Sequence, residues 1–66
     1  MALTVRQWRL AKEITQQTMA EKLGVHVNTY MSWEKEPENI SVTNARKISE
    51  ILELPFDEIR FESDPE

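Results

Sequence analysis

The chain has 66 residues, of which 12 are Asp or Glu and 8 are Lys or Arg, with one His, one Gly and no Cys. This length predicts one domain with a small core. The lack of Cys excludes disulfides and thiolate metal sites, and it favours a reducing, cytoplasmic compartment. No apolar run approaches the ~20 residues that a membrane-spanning helix needs, and residues 1–6 lack the layout of a signal peptide.

Catalysis has few candidate groups in this composition. One His without Cys forms neither a nucleophile–base set nor a metal site, so we predict no enzyme activity, no metal and no cofactor. A chain this short is also expected to leave no room for a substrate cleft of ~300 Å³ beside its core.

The charges are unevenly distributed along the chain. Residues 1–35 hold five basic and three acidic side chains, whereas residues 36–66 hold three basic and nine acidic ones. A polyanion responds to the field of the face that it approaches rather than to the total charge. The net charge of −4 therefore does not exclude a nucleic-acid partner.

Capping residues and Gly divide the first part of the chain into helices. Thr4 is the predicted N-cap of a first helix, and Gln7 stands where it would complete a capping box. Thr15 caps a second helix, which ends at Gly24 because Gly tolerates the left-handed conformation.

The second part shows the same pattern of short helices and no strand pattern. A third helix is predicted over about 27–35, followed by a loop at 36–39, because Pro disfavours helix in the residue before it. Ser41 caps a fourth helix, and Pro55 suits the first turn of a last short helix that contains Ile59. The whole chain thus predicts an all-α domain of four or five helices.

The segment 16–34 meets three demands of two helices that cross steeply after a tight turn. Ala20 is small where the second helix would lie on the first, and Gly24 supplies a positive φ. The inner face is apolar at Met19, Leu23, Val25, Tyr30 and Trp33. Each feature alone occurs in ordinary cores, but together they predict a helix-turn-helix whose second helix can enter a major groove.

These residues resemble the Cro/repressor-type helix-turn-helix family, in particular its small phage or prophage regulators. The similarity covers roughly residues 4–59 and lies at Arg9, Ile14, Thr15, Gln16, Met19, Ala20, Leu23, Gly24, Val25, Thr29, Trp33, Glu34, Ser41 and Leu52. Residues 62–66 are too polar to pack and predict a flexible acidic tail. The resemblance implies a compact five-helix bundle of the lambda-repressor-like DNA-binding type over 1–61, with the helix-turn-helix at 16–35. It also implies a double-stranded DNA operator as partner and, commonly, a homodimer.

Four residues of the third helix are candidate base readers. Asn28 is the first of them, because an Asn amide can bond N6 and N7 of adenine together. Ser32 can donate or accept and is expected to be less selective. Val27 and Met31 suit a thymine methyl group, although the alternative is an apolar patch without a role in recognition.

Phosphate contacts are expected at helix starts and at nearby polar side chains. Gln16 resembles the phosphate-binding glutamine of the family, and the helix N-terminus beside it attracts anions. The other candidates are Gln17, His26, Thr29, Lys35, Arg6 and Asn39. The loop 36–39 departs from the family because carboxylates replace its usual cations, which weakens the expected attraction for DNA.

Arg9 and Glu34 match an arginine–glutamate pair that the family uses to hold the third helix against the first. The alternative is two unrelated surface charges worth under ~1 kcal/mol. We expect the pair, because both positions match together.

Phe56, Ile59 and Phe61 form an apolar group near the end of the chain. They predict either a two-fold contact between copies or closure of the monomer core, and the sequence favours neither.

The leading functional hypothesis is a sequence-specific transcriptional regulator, a repressor that inserts the helix at about 27–35 in the major groove of a short operator. The alternative is a helix-turn-helix protein-interaction module, such as an antitoxin or inhibitor, that has lost DNA binding. The acidic loop and Val27 favour this alternative, and a shared fold does not by itself decide between the two.

Overall fold

The computed structural model describes residues 2–62. Its helices are α1 (Val5–Ala11), α2 (Gln16–Leu23), α3 (Val27–Lys35) and α4 (Val42–Leu52). Two-residue strands β1 (Leu3–Thr4) and β2 (Ile59–Arg60) lie at the two ends, and 3-10 turns cover Pro37–Asn39 and Phe56–Glu58. No helix in the described part is both long and apolar enough to cross a bilayer.

Side-chain caps begin the helices where the sequence predicts them. Thr4 Oγ1 accepts from the Gln7 backbone N–H at 3.2 Å, and the Gln7 side chain accepts from the Thr4 N–H at 2.9 Å. Thr15 and Ser41 cap α2 and α4 through the side-chain bond alone, accepting from the backbone N–H of Thr18 and of Asn44. Gly24 ends α2 with φ +72°, the left-handed conformation that its lack of Cβ allows. The capping predictions are therefore confirmed.

The predicted fifth helix is wrong, and so is the expectation of no strands. After Pro55 the chain makes one 3-10 turn, and Ile59 is extended with φ −111° and ψ 129°. β2 pairs in parallel with β1, with Leu3 opposite Ile59 and Thr4 opposite Arg60. A segment this short does not pay for helix nucleation, and pairing with β1 satisfies its backbone groups instead.

The core lies where the helices meet, and β2 contributes to it. Its largest fully buried side chains are Tyr30, Met19, Ile48, Leu52 and Val5. Ile59 is only 5% exposed and packs in this core, and Phe61 packs partly against it. Of the two alternatives for Ile59, closure of the monomer core is therefore the one observed, and its buried side chain is not accessible to a second copy.

The predicted tail at 62–66 lies mostly outside the described residues. Glu62 is exposed, and the remainder of that prediction is not addressed by the described part of the chain.

Glu53 ends α4 in a left-handed conformation, with φ 58° and ψ 45°. A side chain with Cβ is strained there by roughly 1–2 kcal/mol, whereas Gly is not. Relief of this strain is partly offset because Gly has more conformational entropy in the unfolded chain. We therefore expect Glu53→Gly to raise the free energy of unfolding, measured by urea denaturation, by about 0.5–1 kcal/mol. The matched control Glu50→Gly, inside α4, should lower it by about 1 kcal/mol. Equal destabilisation by both changes would contradict this account.

Candidate nucleic-acid interface

Helices α2 and α3 are joined by a turn at 24–26 and pack against each other. The backbone N–H of Val25 donates to the carbonyl of Ala20 at 3.0 Å, which closes the turn. Ala20 is buried, so the absence of a larger side chain permits the close contact between the helices. The two-helix unit thus occupies the predicted residues 16–35.

Helix α3 presents a polar face to solvent. Its exposed residues are Asn28, Thr29, Met31, Ser32 and Lys35. Tyr30 is buried and Trp33 packs partly against the core, as their spacing predicts. Val27 differs from the prediction of an exposed reader: it is half-buried and packs against the core, so only part of its side chain is accessible.

His26 is the N-cap of α3, and its Nδ1 accepts from the Asn28 backbone N–H at 3.1 Å. An imidazole nitrogen that accepts carries no proton, so the proton of the neutral ring is on Nε2. The exposed ring therefore has one donor left for a ligand, beside the first turn of α3.

A buried ion pair joins the end of α3 to α1. Arg9 Nε lies 2.6 Å from Glu34 Oε2, and the two side chains are 8% and 3% exposed. Arg9 also donates through Nη2 to Glu34 Oε1 at 3.4 Å and through Nη1 to the Ile14 carbonyl at 2.8 Å. The structure thus brings together the two residues that the sequence suggested as a pair, and it places them inside the protein.

Two further donors complete the surroundings of the Glu34 carboxylate. The Tyr30 hydroxyl donates to Oε2, and the Gln16 side-chain amide donates to Oε1 at 2.9 Å. Neither bond was predicted from the sequence, although Tyr30 and Glu34 are four residues apart and so share one face of α3. Gln16 therefore keeps one amide hydrogen for the phosphate contact that its position suggested.

The hydrogen bonds fix the protonation states in this cluster. Burial alone would raise the pKa of Glu34, but hydrogen bonds from Arg9, Tyr30 and Gln16, together with the charge of Arg9, hold it below its usual value. Burial opposes the charge of Arg9 as well, but the bonds to Glu34 and its charge raise the pKa of Arg9. Burial and the Glu34 carboxylate both raise the pKa of Tyr30, so its hydroxyl remains a donor.

An open concavity of about 360 Å³ lies beside α3. It is lined by Arg6, Gln16, Asn28, Met31, Ser32, Glu34 and Lys35. The expectation that so short a chain leaves no room for a cleft is therefore wrong. The only carboxylate among these residues is Glu34, which is already bonded to Arg9, whereas Arg6 and Lys35 are exposed cations. The concavity is thus suited to an anion rather than to a cation.

Ser32 and Thr29 are linked within α3, since the Ser32 hydroxyl donates to the Thr29 carbonyl at 2.7 Å. No His is among the residues that line the concavity. Within residues 2–62, no three His, Cys, Asp or Glu side chains are placed to hold a metal ion.

The remaining predicted contacts, Gln17 and Asn39, lie outside α3. Gln17 is exposed in the first turn of α2. Asn39 is exposed in the 3-10 turn after α3, where its amide is 3.5 Å from the Glu36 carboxylate. The Asn39 amide thus already has a carboxylate of the same loop as its neighbour.

The aromatic residues of the C-terminal segment form a separate surface. The rings of Phe56 and Phe61 stack with centroids 5.2 Å apart, and the Arg46 guanidinium lies 5.8 Å from the Phe56 ring centroid. Phe56 is 45% exposed. Of the three residues considered as a possible dimer contact, Phe56 and part of Phe61 are therefore accessible to a partner.

Glu34→Gln leaves the buried guanidinium of Arg9 without a negative partner. We therefore expect the free energy of unfolding at pH 7 to fall by on the order of 3 kcal/mol. The folded-state pKa of Glu34 is lowered, so its contribution is present above the unfolded pKa and lost as the pH falls through the folded value. The measurement is urea denaturation from pH 7 to 3, with sucrose added to keep the variant folded. The difference in the free energy of unfolding between wild type and Glu34→Gln should become smaller below about pH 4.5.

The exposed Glu36→Gln is the matched control for this change and should cost little at any pH. A constant difference between wild type and Glu34→Gln over the whole pH range would refute the assigned ionic state.

His26→Ala should lower the free energy of unfolding by about 1 kcal/mol, because the Asn28 N–H then lacks its cap. His26→Ser restores a side-chain acceptor and should recover most of this loss. The measurement is urea denaturation at pH 7.5 with amide hydrogen exchange of Asn28. Equal stability and equal exchange in both variants would remove His26 from the capping role.

A family model described as helix-turn-helix matches residues 5–59 of the chain. A search of curated proteins and a search of solved structures each found no match. The matched segment runs from the first residue of α1 to the first residue of β2, so it contains the two-helix unit and both members of the buried pair. The chain therefore belongs to the Cro/repressor-type helix-turn-helix family, which binds DNA.

Proposed function

We propose that the protein is a cytoplasmic, sequence-specific transcriptional regulator, a repressor, that inserts α3 in the major groove of a short operator. The observation that carries this proposal is the exposed face of α3, which presents an amide, two hydroxyls and one cation on a helix held by a buried ion pair. A helix of this kind fits the major groove, where base edges are accessible.

Base readout is assigned to the middle of that face. The side-chain amide of Asn28 is exposed and suits the N6 and N7 atoms of adenine. Ser32 follows one turn later, and Met31 offers an apolar contact for a thymine methyl group. Val27 contributes at most the edge of its half-buried side chain.

Phosphate contacts are assigned around the concavity and at the two helix starts. Arg6 and Lys35 supply charge, and the other groups supply hydrogen-bond donors: Gln16, Gln17, His26 Nε2, Thr29 and Asn39. Two neutralised phosphates correspond to a log–log salt slope of about −2 per protomer. We therefore expect binding that depends weakly on salt and owes much of its strength to base contacts.

Repression needs only that the bound protein exclude other proteins from the operator. A homodimer through Phe56 and Phe61 would strengthen this exclusion, because two α3 helices would occupy half-sites about 34 Å apart. The partly exposed stacked rings, with Arg46 beside them, support this surface as the contact.

One observation favours the second candidate, a protein-interaction module without DNA binding. Glu36 and Glu38 are exposed directly after α3, where they would repel a duplex. Footprinting on the DNA upstream of the gene that encodes the chain separates the two functions. A protected site, with two half-sites about ten base pairs apart for a dimer, supports the regulator, and no protection at low salt favours the module.

Asn28→Ala should relax the preference at one base pair by ~1–3 kcal/mol, since a bidentate amide contact is lost there. Lys35→Gln should weaken binding to all sequences alike and reduce the salt slope by about 1. Both are measured by fluorescence anisotropy with the footprinted site and its single-base variants at several salt concentrations. A uniform loss for Asn28→Ala on every sequence would exclude it as a base reader.

A further inference from the structure

Ser32 stands on the exposed face of α3, one helical turn after Asn28, and lines the same concavity. A free serine hydroxyl can both donate and accept a hydrogen bond, so by residue type alone it discriminates poorly among bases. What it can read in this protein depends on the bonds that the folded helix already makes.

The hydroxyl proton of Ser32 is engaged within the helix. Its Oγ lies 2.7 Å from the carbonyl oxygen of Thr29, and a carbonyl oxygen can only accept. The hydroxyl must therefore be the donor in this bond, which leaves Oγ with acceptor capacity alone towards solvent.

We propose that Ser32 is an acceptor-only reader that selects a base with an exocyclic amine in the major groove, namely adenine through N6 or cytosine through N4. This proposal rests on the proposed function, in which α3 occupies that groove. Guanine presents only acceptors, O6 and N7, and thymine presents only O4 beside its methyl group, so neither has a hydrogen for Oγ.

Rotation of the hydroxyl would let Ser32 donate to guanine or thymine, but only by breaking its bond to Thr29. The loss of one neutral hydrogen bond of ordinary strength corresponds to about fivefold to tenfold in affinity. We therefore expect a preference of that size at one base pair, smaller than the preference set by a bidentate amide.

Asn28 provides an internal comparison for Ser32. Its side-chain amide makes no hydrogen bond with another residue of 2–62, so both its donor and its acceptor remain available. The two readers thus differ in kind: Asn28 suits adenine alone, whereas Ser32 accepts from adenine or cytosine. Since Cα positions four residues apart on a helix are separated by about 6 Å along its axis, the two contacted base pairs lie within about two steps of each other.

The test is selection of binding sites by the full 66-residue chain from a randomised duplex library, repeated with Asn28→Ala, Ser32→Ala and Ser32→Lys. The sites selected by the wild-type protein should contain adenine at one position, and Asn28→Ala should lose the preference there. They should contain adenine or cytosine at a second, nearby position, and Ser32→Ala should reduce the preference there by about fivefold to tenfold. Ser32→Lys, which can only donate, should change that second position to guanine or thymine. Circular dichroism of each variant checks that it is folded.

The outcomes separate this inference from the proposed function. One contrary outcome is an enriched site whose sequence depends on Asn28 but which has guanine or thymine at the position that depends on Ser32, or no position that depends on Ser32. This outcome would overturn the inference about Ser32 and leave the proposed regulator function standing. No enriched sequence for the wild-type protein would overturn both.

Discussion

The buried pair of Arg9 and Glu34 is the interaction on which the arrangement of the helices depends. Glu34 is near the end of α3, and its carboxylate accepts from Arg9 in α1, from Gln16 in α2 and from Tyr30 in α3 itself. A buried charge is costly unless it is paired and fully hydrogen-bonded, and the observed placement of these three helices meets that requirement. The bonds to Arg9 and Gln16 thus hold the end of α3 against both α1 and α2.

The cluster also connects the scaffold to the candidate interface. Gln16 bonds to Glu34 and lines the concavity, so its free amide hydrogen is oriented by a carboxylate that is almost completely buried. His26 likewise connects the scaffold to the interface, because one ring nitrogen caps α3 and the other is available to a ligand. Polar side chains whose own partners are fixed lose little conformational freedom on binding, which favours specific contacts on a face with few cations. An acidic chain can thus present a face suited to DNA, because the nearby carboxylate of Glu34 is already neutralised by Arg9.

Local features of the fold were predictable from sequence because their causes are local. A threonine before a helix, a glutamine three residues later and a glycine at a turn act through atoms a few residues apart, and the capping box and Gly24 were found as predicted. The partner of β2 was not predictable in this way. Two-residue strands have no periodicity to detect, and Ile59 pairs with Leu3 across nearly the whole chain. The tertiary structure therefore decided between the two alternatives for Ile59, because the paired strand places its side chain in the core.

For the candidate site, the residue types and spacing determined which face of α3 would be polar and where Asn28 and Lys35 would stand, and the resemblance to the family implied which two charges would form a pair. Only the tertiary structure decided which hydrogen bonds those groups make and how far they are buried. It placed the pair beneath the surface, directed Tyr30 and one amide hydrogen of Gln16 to Glu34, turned part of Val27 into the core and formed the concavity. The physical reason is that hydrogen bonding and burial depend on which atoms meet across separate helices, whereas sequence patterns report only what each helix presents along its own axis.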